Sequence, residues 1–339
     1  MLNIFESIPD GLLDADATEL EALLGGPSVI HLNGRQQPAL FVSVLMHGNE
    51  TTGFEAVKRW LRRYEPGGGS KPMPRALTLF IGNVSAARQG MRRLAEQPDY
   101  NRVWPSGGAG DTAEHRLMVE VMAIMRARGV FASVDVHNNT GLNPHYACVN
   151  RIDYRFLHLA TLFSRQVVYF IRPAGVQSMS FAELAPAVTL ECGQPGQPHG
   201  TEHALEYLDA CLNLAEIPDH PVADGDLDLF HTVAVVKVPE SVSLGFEDGV
   251  ELRLVENLDR MNFNELLPGT AFANVTGDVG LALDVCGEEN DEDVAHRYFV
   301  VEDGQIRTRV PVMPSMLTQN VEIIRQDCLC YLMERYRLA

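Results

Sequence analysis

His47 and Glu50 stand three positions apart in the stretch His47-Gly48-Asn49-Glu50. An imidazole nitrogen and a carboxylate oxygen at that spacing can close on one divalent ion, and both are zinc donors. A run of strand-forming residues, 39–46, leads directly into His47, and a second, 130–136, leads into His137. A single histidine after a strand is usually a loop residue that binds nothing. Two apolar strands that each end on a histidine describe the floor of a metal site, because ligands in open α/β sheets gather beyond the carboxyl ends of the strands. Three protein ligands plus water is the usual catalytic zinc arrangement. Gly48 allows a sharp turn where the first strand ends. Asp135 shares a strand face with His137, so it either orients a ligand imidazole or caps a neighbouring helix.

A third apolar run, residues 186–190, ends on Glu191. A carboxylate at the end of a buried strand is costly without a partner. Glu191 either pairs with a surface arginine, caps the following helix, or carries protons between an attacking water and a leaving nitrogen. Arg88, Arg92, Arg93 and Arg102 cluster between the first two strand signals. On the residues alone they form a solvated basic patch.

Taken in order, His47-Gly48-Asn49-Glu50, Gly82-Asn83-Val84 with Arg92, Asn101-Arg102, Asp135-Val136-His137-Asn138 and Thr189-Leu190-Glu191 resemble the succinylglutamate desuccinylase/aspartoacylase family, a branch of the zinc carboxypeptidase clan. Met261-Asn262-Phe263 and Leu267-Pro268-Gly269-Thr270 are similar to that family's small C-terminal domain, so the resemblance spans nearly the whole chain. It implies one zinc ion per chain on His47, Glu50 and His137, with Glu191 as general acid and base. It further implies that Arg92 steadies the oxyanion and that Asn101 and Arg102 grip a substrate carboxylate. Val84 stands where the family has Pro, Tyr100 where it has Leu or Met, and two extra residues separate Arg92 from Asn101. These departures bear on the acyl group and the amino acid, not on the metal. The implied activity is amide hydrolysis of an N-acyl amino acid, with N-succinylglutamate or a related acidic compound foremost. An aspartoacylase-type deacylase, a metallocarboxypeptidase and a non-catalytic zinc-containing carboxylate-binding protein are the alternatives.

The chain has 339 residues, 46% of them hydrophobic, and a formal net charge of −18. Such length supports one large domain with a smaller companion. The acidic balance argues against nucleic acid as a partner, and an anionic small-molecule substrate would need the local arginines. Six cysteines occur without a C-x-x-C pair, which reads as reduced thiols in a cytoplasmic protein. Cys192 reads as a packing residue, since no histidine signature accompanies it. No apolar run approaches the ~20 residues of a membrane helix, so no membrane partner is expected. A homo-oligomer is compatible with the sequence.

The elements that must position these residues follow from periodicity. The expected fold is α/β: a mixed central sheet flanked by helices, zinc carboxypeptidase-like over residues 1–217, and a small β-rich domain over 218–339. Helices are predicted over 16–24, 51–64, 112–128, 153–163 and 201–214, with Phe54, Val57, Trp60 and Leu61 on one buried face of the second and Leu117, Val121 and Ile124 inside the third. Residues 66–72 read as a glycine-rich surface loop. Beyond residue 217, strands are predicted over 232–238, 250–255, 280–283 and 297–301, and the acidic residues 288–293 read as a solvated loop.

Overall fold

The computed structural model describes residues 1–64, 72–277, 279–289 and 291–338. They fall into two units, Met1–Asn138 with His145–Asp228 and Asn139–Pro144 with Leu229–Ala339. Composition places the division at 217/218; contacts place it at 228/229 and assign Asn139–Pro144 to the second unit. Residues 66–71 of the glycine-rich loop expected over 66–72 lie outside the described residues.

The first unit carries β1 (Asn3–Phe5), β2 (Ser28–Leu32), β3 (Gln36–Val44), β4 (Arg75–Ile81), β5 (Val130–His137), β6 (Tyr146–Val149), β7 (Gln166–Tyr169) and β8 (Ala187–Glu191). They lie in the order β1-β2-β4-β3-β5-β8-β6-β7. The sheet is mixed, but β4, β3, β5 and β8 at its centre run parallel. Parallel strands are covered on both faces, which is why their sequences are near-continuous apolar runs. Leu40, Phe41, Val42, Val134, Val136, Val188 and Leu190 are all fully buried.

The helices are α1 (Leu20–Leu24), α2 (Thr52–Leu61), α3 (Val84–Arg88), α4 (Ala113–Arg128), α5 (Tyr154–Thr161), α6 (Gln177–Phe181) and α7 (Pro198–Asn213). Asp16 N donates to Glu19 Oε2 at 2.8 Å at the chain's entry to α1, and Gly25 ends that helix in the left-handed conformation. The predicted stripe of α2 is buried, and α2 packs so tightly on β5 that a Cβ at Gly53 would lie 2.8 Å from Val136 Cβ. In α4, Leu117 and Val121 are buried as expected. Ile124 is half-exposed, and Met118, Met122 and Met125 fill the face instead. No helix among the described residues is long and apolar enough to cross a membrane. None of the six cysteines is joined in a disulfide.

In the second unit, β9 (Asp228–Lys237), β13 (Asp284–Gly287), β16 (Met313–Ser315) and β17 (Cys330–Arg335) pair antiparallel, with β9 between β13 and β17. A separate sheet runs β10 (Leu244–Gly245), β11 (Leu252–Leu254), β12 (Ala271–Val275), β15 (Gln305–Thr308), β14 (Phe299–Glu302). The unit's core includes Leu252, Phe272, Phe299, Ile306 and Leu332. Three details differ from the sequence reading. Residues 280–283 form no strand, because Ala282 turns with φ of 53°, and pairing begins at Asp284. Residues 295–298 make a helical turn, so the strand starts at Phe299. Glu288 is buried, its Oε2 2.7 Å from His231 Nε2, not solvated.

The strand ends earlier than expected, and Gly48 lies in a second turn, closed by Glu50 N to His47 O at 3.1 Å. β3 stops at Val44, and the turn is made by Leu45, whose φ is 57°. A non-glycine residue there costs about 1–2 kcal/mol, and backbone bonds from Gly82 N to Val44 O (3.0 Å) and Asn83 N to Leu45 O (2.6 Å) hold it. Gly48 serves close approach: a Cβ there would lie 2.2 Å from Ala87 N and 2.7 Å from Met91 O. Gly48→Ala is therefore expected to destabilise the fold by about 3 kcal/mol or more, read as a lower urea midpoint. An unchanged midpoint would reject this packing argument.

Candidate metal centre

Three neighbouring parallel strands end at one place. β3 delivers Leu45-Met46-His47, β5 delivers Asp135 and His137, and β8 delivers Glu191. In register, Ser43 faces Asp135 and His137 faces Glu191. Adjacent strands lie about 4.8 Å apart, and in-register side chains share a sheet face. Glu191, half-buried, therefore stands beside His137, with Tyr146 of β6 on its other side.

His47, Glu50 and His137 are each about 95% buried or more. One ligand atom from each lies within 4.8 Å of the others, so the three can hold a metal ion. His47 Nδ1 is 2.7 Å from Glu50 Oε1, and His137 Nδ1 is 2.9 Å from Glu50 Oε2. The outward nitrogens are also engaged. His137 Nε2 lies 2.7 Å from Asp135 Oδ2, and Asp135 accepts from Ser43 Oγ at 2.7 Å. His47 Nε2 lies 3.0 Å from Asp99 Oδ1. A carboxylate behind each imidazole fixes the tautomer that presents a bare Nδ1 to a metal.

Asp99 escaped the sequence reading. It is a half-buried hub: Oδ1 also accepts from Asn101 N at 2.8 Å, and Oδ2 accepts from Arg92 at 3.1 Å. Its only sequence signal is its place two residues before Asn101, in a segment without periodicity. Asp135 resolves to the imidazole-orienting alternative. Asn138 was also missed as a structural joint. Its backbone N donates to Glu50 Oε2 at 3.0 Å, its Nδ2 to Gly193 O at 2.7 Å, and its Oδ1 accepts from Thr52 N at 3.3 Å. One side chain thus ties the start of α2 to the loop beyond β8.

The electrostatics follow from this crowding. Burial alone would raise the Glu50 carboxyl, but the His47 and His137 charges outweigh it and hold it well below the usual range. Burial likewise opposes ionisation of Asp99, and His47, Arg92 and Arg102 override it. Burial pushes the His137 imidazole down, yet Asp135 and Glu50 bring it well above its ordinary value. Three carboxylates, Glu50, Asp99 and Asp135, face the guanidiniums of Arg92 and Arg102. With neutral imidazoles negative charge is in excess, which a cation would offset, so the donor set fits a metal in number and type.

The arginine cluster divides. Arg92 is brought in, with its second nitrogen 3.5 Å from Glu50 Oε1. Arg102 is half-buried, donates to Asn101 O at 2.9 Å and acts on Asp99 through its charge. Arg93 turns away to Gln97 O at 3.0 Å, and exposed Arg88 pairs with Glu21 at 3.0 Å. Asn101 is buried beside His137, its Nδ2 3.1 Å from Nε2, and its Oδ1 is held by Gln177 N at 2.8 Å. Burial, with the nearby Glu191 and Glu50 charges, pushes the Cys192 thiol well up, which suits packing and not nucleophilic attack.

Residues 36–215 match the model of the succinylglutamate desuccinylase/aspartoacylase catalytic domain. A succinylglutamate desuccinylase of Pseudomonas aeruginosa (strain LESB58) is 30% identical over 310 residues, covering 81% of this chain and 86% of its own. Among solved structures, a succinylglutamate desuccinylase from Chromobacterium violaceum superposes with a TM-score of 0.59 at 19% identity, covering 91% of this chain and 89% of its own. Murine aminoacylase 3 gives 0.52 at 15%, covering 89% and 97%. The product-bound ectoine utilization protein EutE (DoeB) of Ruegeria pomeroyi gives 0.57 at 13%, covering 91% and 88%. At such identities the structural likeness speaks for the fold. The domain match over more than half the chain and the 30% identity with the Pseudomonas protein go further: this chain belongs to the succinylglutamate desuccinylase/aspartoacylase family.

Proposed function

We propose that the chain is a zinc-dependent amidohydrolase that removes the acyl group from an acidic N-acyl amino acid, with N-succinylglutamate or a close relative as substrate. The observation that carries this reading is the buried His47–Glu50–His137 group with Glu191 in register beside His137. A zinc ion held by those three residues would supply a Lewis acid that polarises the scissile carbonyl and acidifies the attacking water. The chain's own residues supply the remainder. Glu191 takes the proton of the attacking water and passes it to the departing amine nitrogen. Its half-exposed position at a strand end suits a group that must meet solvent and substrate in turn.

Arg92 donates to the oxygen on which negative charge develops. Its 3.5 Å contact to Glu50 is longer than a good hydrogen bond, so that contact is exchanged for the oxyanion at small cost. Arg102 offers a planar fork to a substrate carboxylate. Asn101 can join that grip through Nδ2, since Gln177 holds its oxygen. The Pseudomonas relative is named for succinylglutamate, and a fork of this kind suits an acidic substrate.

A hydrolysis screen across N-succinyl, N-acetyl and N-formyl amino acids and short peptides, with and without chelator, tests the reading. Turnover is expected on N-succinyl acidic amino acids and lost with chelator. Preference for N-acetylaspartate would transfer the assignment to an aspartoacylase-type deacylase, and preference for peptides to a carboxypeptidase. Silence on every substrate by a zinc-loaded chain would leave a carboxylate-binding protein. Glu191→Gln is expected to retain metal and lose turnover by roughly 10²- to 10⁴-fold; near-wild-type turnover would reject its role. Arg102→Ala is expected to raise KM for acidic substrates about tenfold more than for neutral ones, and an equal rise on both would remove Arg102 from the carboxylate grip.

A further inference from the structure

We infer that His145, His199 and His203 form a second metal site, for a borderline divalent transition ion such as zinc or nickel. The site lies in the first unit and shares no residue with the His47–Glu50–His137 group. His199 and His203 sit one turn apart at the start of α7. Histidines at i and i+4 share a helix face, the spacing by which helical imidazole pairs take zinc. His145, just before β6, brings a third ring from another element. Its ring is parallel to both, with centroids 5.2 Å from His199 and 5.0 Å from His203. Its Nδ1 lies 2.7 Å from His203 Nδ1.

The pair is held from both sides. Phe163 stacks on His203 at 4.1 Å, and the Gly193 backbone comes so close to His145 that a Cβ there would lie 3.1 Å from Nε2. That Nε2 is buried without a hydrogen-bond partner. His199 is exposed, which gives an ion a way in and lets its ring rotate onto the pair. Burial, with the neighbouring His203 and His199, brings His145 down to about 4, and burial also lowers His203. Both rings are therefore neutral near pH 7 and keep lone pairs for a metal. Glu206, one turn beyond His203, adds a negative charge on the same side.

The proton balance is simple. Two neutral imidazoles 2.7 Å apart share one Nδ1–H, so one ring donates and the other accepts. When an ion enters, the donor ring moves its proton from Nδ1 to Nε2, and both Nδ1 lone pairs turn to the metal with no net proton released. Zn–N bonds of about 2.0–2.1 Å in a tetrahedral site require the two nitrogens to part to about 3.3 Å, a change that small side-chain rotations supply. Imidazoles without thiolate suit zinc, nickel and copper over calcium or magnesium.

The test is calorimetric titration of the full chain, already loaded with one equivalent of zinc, with Ni²⁺ alone. A further equivalent is expected to bind. His203→Ala is expected to weaken it about 100-fold and His199→Ala about tenfold, with the first equivalent of zinc retained in both. His199 is on the surface, so its variant reports even if His203→Ala fails to fold. A His47→Ala/His137→Ala double variant, titrated without added zinc, is expected to keep the nickel event, which separates this site from the proposed catalytic one. Absence of a further equivalent in the wild type, or its indifference to both His199→Ala and His203→Ala, would overturn the inference.

Discussion

Glu50 is the group around which the first unit's site is arranged. Its two carboxylate oxygens reach the Nδ1 atoms of both His47 and His137, and it is almost wholly removed from water. An ionised carboxylate cannot be stable in that position alone. It requires two imidazoles, a backbone N–H from Asn138 and a nearby guanidinium, all fixed before substrate arrives. The sheet meets this requirement by running β3, β5 and β8 side by side in parallel. Donors that are distant in sequence then emerge at one edge in a register set by backbone hydrogen bonds.

The site's rigidity comes from the groups behind the donors. Asp99 and Asp135 each hold the far nitrogen of one imidazole, and Ser43 in turn holds Asp135. Asn138 joins the start of α2 to the loop after Glu191. Ligands supported in this way keep their orientation within narrow limits, and loss of such supporting groups typically costs 10- to 100-fold in metal affinity. A buried excess of negative charge surrounds the donors, so an entering cation is favoured both by coordination and by relief of that charge. A metal held there would link the fold's stability to its affinity for the ion.

Much of this was legible from residue types and spacing. The strand runs that stop at His137 and Glu191 read correctly because apolar periodicity marks a buried parallel strand, while the run before His47 ends short of it, at Val44. Asp135 was legible through the two-residue repeat of a strand. Asp99 was not, because residues 94–103 carry no repeat that would orient a side chain. The end of β3 was misplaced for a similar reason: Leu45 has no sequence signal for left-handed backbone, while Gly48 lies in the turn that follows, closed by Glu50 N to His47 O at 3.1 Å. Residues 280–283 look like a strand by composition, and only pairing partners decide that strand begins at Asp284. Arg88 and Arg93 show the same limit. Sequence proximity gathered four arginines, and the chain's local path turned two of them away.

The central claim is that His47, Glu50 and His137 converge on one ion. The direct measurement is an anomalous difference map at the zinc edge, from crystals of the full chain grown with one equivalent of zinc. The account predicts a single dominant peak about 2.0–2.2 Å from His47 Nδ1, His137 Nδ1 and a Glu50 oxygen. A dominant peak held by other residues, or none at that place in zinc-loaded protein, would contradict it.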